Sequence, residues 1–489
     1  MAGVVVVGAG MGGLAAAARL AAGGHRVTVL EQAGTHGGKL GELRRDGFAF
    51  DTGPSLLTLP QVYRDLFTAT GGPLDDVVDL VPVEPTCHYR FADGSEVDVP
   101  HDAAAVPAAL DAWSPGTGGE WAALMADAAR LWDLVGEPVL QRPLGGAADL
   151  VRRSASVRDL LALSPWRTLR TVGGRRLSDP RARVLLDRYA TYSGSDPRRL
   201  PGLMTVVPYV EQRYGGWYVR GGLRRLGDAL FDRCEELGVR FEFDARVTVV
   251  ETSGSGVSGV RLAGGARVPA EVVVSDADAT RLYRDLLPDR RARRPRRALG
   301  RVVPSLSGFV LLLALRGRSP RPHHHRVLFP ADYDDEFDSL FGRAPRPVPD
   351  PAVYVCSPDD PAVRPDGHEA WFVLVNAPRQ GQVDWTAPGL AERYADRVLD
   401  VLAARGHDVR DRLLWREVRT PADWERDTGS AGGALYGSSS NGPRAALLRP
   451  ANRAPVPGLY LVGGSAHPGG GLPLVAMSAR IAADLIGPA

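Results

Sequence analysis

Three glycines and one acid near the start of the chain set the first chemical constraint. Gly8, Gly10 and Gly13 stand at G-x-G-x-x-G spacing in VVVVGAGMGGLAAAARLAAGGHRVTVLE, and Glu31 follows 23 residues after Gly8. Each of these residues has a task in holding a dinucleotide. Gly8 makes a tight turn, Gly10 lets the backbone approach a diphosphate, and Gly13 lets a helix pack closely on a sheet. Met11 and Gly12 complete the same turn. The helix that opens there offers unpaired N–H groups and a partial positive charge to the anion. Glu31 can accept both ribose hydroxyls. The glycines alone would fit any glycine-rich turn. Their order inside a buried strand (Val4–Val7), an alanine-rich helix (Leu14–Ala22), a second strand (Val27–Leu30) and an acid makes the reading specific. The chain also holds a control: Gly254, Gly256 and Gly259 fit the same spacing. They lie between two β-rich runs, Val239–Val250 and Val257–Leu262, with no helix after them. That pattern predicts a hairpin and no second nucleotide site.

FAD fits the following segment better than NAD. After Glu31 and Gln32 comes a second glycine pair, Gly37 and Gly38, then Lys39 and Leu40. Backbone and cation can reach a second phosphate region there, where NAD-binding folds move on to their next helix. Thr52, Gly53, Pro54 and Ser55 continue the expected cofactor contacts, with Asp51 and Thr52 serving structure as well. Val247 and Asp276 are expected to join them. At the far end of the chain, Leu459–Val462 runs into a glycine-rich turn and then a helix with Pro473 in its first turn, where proline is favoured. Gly463, Gly464, Gly471, Leu472, Pro473 and Leu474 are therefore expected against the flavin. This helix N-terminus would neutralise charge at the N1–O2 edge of the ring. His467 is expected to be structural.

A chain of 489 residues can bury two cores, with room for a helical third section. A net charge of +2 supplies no global field for nucleic acid. The run Arg290–Arg297 lacks interleaved aromatics and reads as a solvated loop, with anionic headgroups as the other partner. His323–His325 reads as a loop, since three adjacent residues cannot all point at one ion, and no metal site is expected. Three widely spaced cysteines, Cys87, Cys234 and Cys356, argue against a disulfide framework and for a reducing compartment. No signal sequence precedes the first strand, and Phe309–Leu315 is far too short to span a bilayer. A cytoplasmic protein, free or peripheral to a membrane, is expected.

Along the chain, strand and helix signals interleave in an α/β pattern. The expected division is a discontinuous cofactor domain (1–85, 205–290 and 425–489), a second sheet for substrate (86–100 and 295–424) and a helical lid (101–204). Residues 86–100 read as a hairpin around Asp93–Gly94. Trp121–Val135 and Val157–Thr171 carry helical periodicity. In the second, leucines and Trp166 alternate with Arg158, Arg167 and Arg170, which suits either a membrane-surface helix or a core helix. Residues 221–250 predict a helix then a strand. Glu271–Ala277, Gly308–Leu315 and Ala370–Ala377 predict further strands.

Taken together, GAGMGGLAAAARLAAGG, EQAGTHGGKLG, FDTGPSLLTLP, VEQRYGGWYVRGGLRRLGDAL, TPADWERDTGSAGGALYG, RPANR and GLYLVGGSAHPGGGLPLVAMSARIAADLI resemble the bacterial carotenoid (phytoene) desaturase family of FAD flavoproteins. The likeness runs from residue 3 to the C-terminus. HPGGGLPL and GPSLLTLP look more like members acting on later, often hydroxylated, carotenoids than like first-step phytoene desaturases. The resemblance implies a Rossmann-like FAD-binding domain of the glutathione-reductase/amine-oxidase type, a β-sheet substrate domain and a helical membrane-facing section. It implies a hydrophobic isoprenoid substrate in an apolar tunnel, transient membrane contact, and oxygen or a quinone as final acceptor. Desaturation would send a hydride to flavin N5 and a proton from the neighbouring carbon to a base. Arg158–Asp159–Leu160 matches the family's aspartate motif, so Asp159 is the candidate acid/base. The family's arginine falls on Ala162, a departure. Arg158 substitutes, or proton removal proceeds without that help; a merely solvated Asp159 is the competing reading. Other functions remain open: a flavin amine oxidase, which Gly463–Ala466 disfavours by lacking an acid and aromatics, or oxidation or isomerisation of another lipid or polyketide. A non-catalytic escort protein conflicts with the intact phosphate-loop glycines.

Overall fold

The computed structural model describes residues 2–144, 166–442 and 449–489. The strand Gly3–Val7, four of whose five residues are valine, lies at the centre of a five-stranded sheet. Its neighbours are Arg26–Leu30 on one side and Val272–Ser275 on the other, with Arg240–Glu242 and Leu459–Leu461 outside them. All four pairings are parallel. Parallel strands need both faces covered, which is why the inner ones are continuous apolar runs. Helix α1 (Met11–Ala22) packs on this sheet with α2 (Arg224–Glu236) and α3 (Leu472–Ile486), sharing one core. Alanine at positions 15–18, all fully buried, lets α1 approach its neighbours closely. The buried Cys234 thiol of α2 donates to Leu14 O of α1.

A second, seven-stranded sheet is built on Ser307–Arg316 and His368–Ala377, paired antiparallel over their full length. Its edge is the hairpin Cys87–Arg90 and Glu96–Val99, joined through a parallel pairing to His325–Leu328. Helices including Thr117–Val135 and Pro180–Arg188 pack beside that edge.

The structure corrects four expectations. Val239–Val250 is two strands: Arg240–Glu242 joins the parallel sheet, and Val247–Thr252 begins a separate three-stranded antiparallel sheet. Asp244, at φ 54°, turns the chain between them, a conformation aspartate tolerates better than most residues. The control hairpin around Gly254 forms as expected between Val247–Thr252 and Val257–Leu262. Arg290–Arg297 is helical, not loop: Asp289 caps a turn at Arg290–Ala292, and Arg293–Leu299 continues as an α-helix with no buried residue. Arginine is a good helix former, and Pro295 is tolerated in the first turn. His325 opens a buried strand. Finally, Thr168 is extended and caps a helix beginning at Leu169, so Val157–Thr171 is not one helix to its end. Residues 157–165 lie outside the described ones.

Two buried polar side chains fix the C-terminal glycine turn. Asn452 Nδ2 donates to His467 O at 2.9 Å, Leu461 O at 3.1 Å and Ser478 Oγ at 3.0 Å. Arg449 donates to Tyr436 O, Gly464 O and Ser438 O. Burial lowers its pKa to about 10, so it stays charged at neutral pH. Asn452→Ala strands several buried carbonyls at once and is expected to cost about 2–3 kcal/mol by urea unfolding. A loss under about 0.5 kcal/mol would show that the turn does not depend on this clamp.

Candidate active site

The glycines predicted to hold a diphosphate are placed by packing. An added Cβ on Gly13 would run into Gly8 O, and one on Gly12 would lie 2.9 Å from Gly463 Cα. Gly12 and Gly463 therefore bring the N-terminal βαβ unit and the C-terminal turn into direct backbone contact. Both helices that start there lack side-chain caps: α1 has Gly10 at its N-cap, and α3 has Gly471. Apart from Gly13 N–H, which meets the Asp276 carboxyl, their first N–H groups are left for a ligand. Tyr63 donates to Leu472 O at 3.0 Å and anchors the start of α3.

A cavity of about 470 Å³ runs along this junction. On its wall Glu31 is held by two backbone donors, Ala9 N at 2.7 Å and Ala33 N at 2.8 Å. The free lone pairs of this buried carboxylate suit ribose hydroxyls. Gln32 and Val247 line the cavity too, as do Gly8, Gly10, Met11 and Gly12, then Gly38, Lys39 and Leu40. Gly53, Pro54 and Ser55, with Gly464, Gly471, Leu472 and Pro473, complete this set.

Four expected contacts lie off the cavity wall. Gly13 packs against Gly8, and Gly463 against Gly12. Thr52 is buried beside Gly41, its N–H donating to Gly41 O. Leu474 sits on α3 facing elsewhere, and Val475 lines the wall in its place. Lys39 lines the cavity, yet its ammonium donates to Ala434 O and Leu435 O at 2.9 and 2.8 Å. Lys39 thus also ties the N-terminal turn to residues 434–435. Burial lowers its pKa, opposed by Asp278 and Asp276. Asp51 caps α2 through Leu223 N and Arg224 N; burial raises its pKa to about 6, the two donors pulling it back. Asp159 and Arg158 lie outside the described residues. His467 is buried, Nε2 bonding to Val139 O and Arg142 O, as a structural residue would be. His324 and His325 approach Cys356, while His323 stacks on His88 near Asp98.

Sequence reasoning missed several site residues. Arg224 holds the second glycine turn by donating to His36 O and Leu40 O. Arg246, Arg281, Tyr354 and Tyr436 line the cavity, as do Arg188 and Glu211. None belongs to a spaced motif. The quoted segments VEQRYGGWYVRGGLRRLGDAL, which contains Glu211 and Arg224, and TPADWERDTGSAGGALYG, which contains Tyr436, offered the signal.

The residues fit FAD: an acid for ribose, a glycine cradle for the diphosphate, and two uncapped helices facing one elongated cavity. Asp276 adds a condition. It follows the strand Val272–Ser275, lies against Gly10, Gly12 and Gly463, and lines the cavity. Burial raises its pKa to about 7, with Glu31 adding to the rise and Lys39 and Gly13 N–H opposing it. The folded protein therefore holds this proton where the unfolded chain has lost it. Its contribution to stability is undiminished below about pH 4 and falls as pH rises towards 7. Above about 7 the carboxylate ionises beside the diphosphate turn. FAD affinity, measured by fluorescence titration of apoprotein, is expected to weaken by up to about tenfold per unit above pH 7, and Asp276→Asn to flatten that slope. An unchanged slope in the variant would clear Asp276 of the effect.

Comparison with known proteins agrees with this geometry. The sequence profile of the flavin containing amine oxidoreductase family matches residues 11–487. The 4,4'-diapolycopene oxygenase of a Methylomonas species is 33% identical, over 99% of this chain and 97% of that one. Hydroxyneurosporene desaturase of Cereibacter sphaeroides is 34% identical, over 99% and 97%. A solved oxidoreductase from Methanosarcina mazei, 18% identical, superposes with a TM-score of 0.65 over 98% of this chain and 99% of that one, a likeness in fold alone. With the two uncapped helices, the acid and the glycine cradle, these likenesses establish that the chain belongs to the flavin-containing amine oxidoreductase family, with FAD as its cofactor.

Proposed function

We propose that the chain is an FAD-dependent carotenoid desaturase, introducing a carbon–carbon double bond into a long isoprenoid. The observation that carries this reading is the near-full-length likeness to a hydroxyneurosporene desaturase, joined to a cavity continuing past the cofactor residues between apolar walls. When bound, FAD supplies the two-electron oxidant. The chain's own residues do the rest. Leu56, Phe372, Leu374 and Leu435 exclude water and orient a substrate with no charged handle. Asp159 takes the proton from the carbon next to the oxidised one, with Arg158 in place of the arginine missing at Ala162.

The substrate is stored in membranes, so the helical section 101–204 serves as the membrane-facing lid, over the discontinuous FAD domain and the substrate sheet. Trp166, 65% exposed, supports that role. No described helix is long and apolar enough to cross a membrane.

Anaerobic incubation of the holoprotein with phytoene, neurosporene or hydroxyneurosporene in liposomes is expected to bleach the flavin and yield a longer polyene. Bleaching by a primary amine and by no carotenoid would refute the reading. Asp159→Asn is expected to lower turnover at least tenfold (about 1.4 kcal/mol) while FAD stays bound. Unchanged turnover would remove Asp159 from the chemistry.

A further inference from the structure

The cavity wall includes a charged group outside both glycine turns. Arg188, Thr191, Tyr192 and Glu211 line it there. Glu211, on the helix Val206–Tyr214, is 4% exposed. Its Oε1 accepts from Tyr189 OH at 2.7 Å, while its Oε2 is buried with no donor within 3.5 Å among the described residues, the Tyr192 hydroxyl lying just beyond that reach. Arg188, at the end of the helix Pro180–Arg188, is 8% exposed. It donates to Thr191 Oγ1, and its guanidinium lies 5.2 Å from the centre of the Tyr192 ring. No described residue accepts from its other N–H groups. Burial pushes the Glu211 carboxyl up, the hydroxyls of Tyr189 and Tyr192 and the charge of Arg188 pulling it back.

A buried carboxylate oxygen without a donor is costly, and the site of a hydrocarbon chain has no use for one. We propose that Glu211 and Arg188 form a subsite for a hydroxyl at one end of the isoprenoid substrate, making the protein selective for hydroxylated carotenoids. The assignment rests on the carotenoid-desaturase reading above. It follows from the complementarity of the two groups. A hydroxyl is both donor and acceptor, so its proton goes to Glu211 Oε2 and its oxygen takes an N–H of Arg188. A keto group accepts only and leaves the ionised Glu211 unmet. A carboxylate is repelled by Glu211, and an ammonium by Arg188. A plain carotene satisfies neither. Sites built around a substrate hydroxyl reject the analogue lacking it far more strongly than apolar pockets discriminate, since the buried groups are then left unpaired.

The test compares hydroxyneurosporene with neurosporene in liposomes, using wild-type holoprotein and the variants Glu211→Leu and Glu211→Gln. Wild type is expected to favour the hydroxylated substrate by about 100-fold or more in kcat/KM. Glu211→Leu is expected to lower the ratio of kcat/KM for hydroxyneurosporene to that for neurosporene at least tenfold, with the flavin spectrum intact. Glu211→Gln, which still accepts, should fall between the two. The wild-type comparison needs no variant to fold: equal turnover of both substrates overturns the subsite and leaves the desaturase reading standing. Turnover of neither carotenoid overturns both. A variant that loses kcat on both substrates alike, with an altered pH profile, overturns end-group recognition and makes Glu211 a participant in the chemistry.

Discussion

The architecture depends on the backbone contact between Gly12 and Gly463. Two helices begin on either side of it, neither with a side-chain cap, so their positive ends converge on one cavity. The sheet makes that contact possible: only Val272–Ser275 lies between the first strand of the chain and the last, all parallel, so the two turns leave strand ends one strand apart on the same edge of the sheet. A ligand at the carboxyl ends of parallel strands is the general solution for open α/β sheets. Here the solution draws on both termini of the chain.

Holding backbone to backbone leaves no side chain at the junction to do the fixing, so buried polar residues act from behind it. Arg449 and Asn452 together take carbonyls from residues 436, 438, 461, 464 and 467, and Arg224 takes those of residues 36 and 40. Lys39 is part of the same scheme, which explains why a lysine beside a glycine pair faces carbonyls. These cations keep the cradle rigid while the diphosphate meets mainly N–H groups. Asp276 is the exception, a carboxyl that suits an anion only while it keeps its proton.

The sequence was readable where local physics and spacing coincide. Strand, glycine turn, alanine-rich helix and acid at the N-terminus, and strand, glycine turn and proline-started helix at the C-terminus, each lie within one short window. The long strands Ser307–Arg316 and His368–Ala377 announced themselves as apolar runs. What escaped depends on residues distant in sequence. The carbonyl partners of Lys39, at 434 and 435, are invisible from its own segment. Gly463 looked like a ligand contact because glycine serves close packing and close ligand approach equally, whereas Gly13 packs the helix on the sheet as its spacing indicated. Asp244 broke a β-rich run at one residue, which periodicity does not register. Arg188 and Glu211 sit on two separate helices, and only folding faces them into one cavity.

The absorption spectrum of the purified, folded protein tests the account most directly, taken before and after addition of FAD and compared with Gly12→Val. Bound flavin in the wild type, with its vibronic structure sharpened by an apolar site, and a colourless variant that takes up none, is the predicted outcome. A wild-type protein that is folded, colourless and unresponsive to added FAD would contradict it.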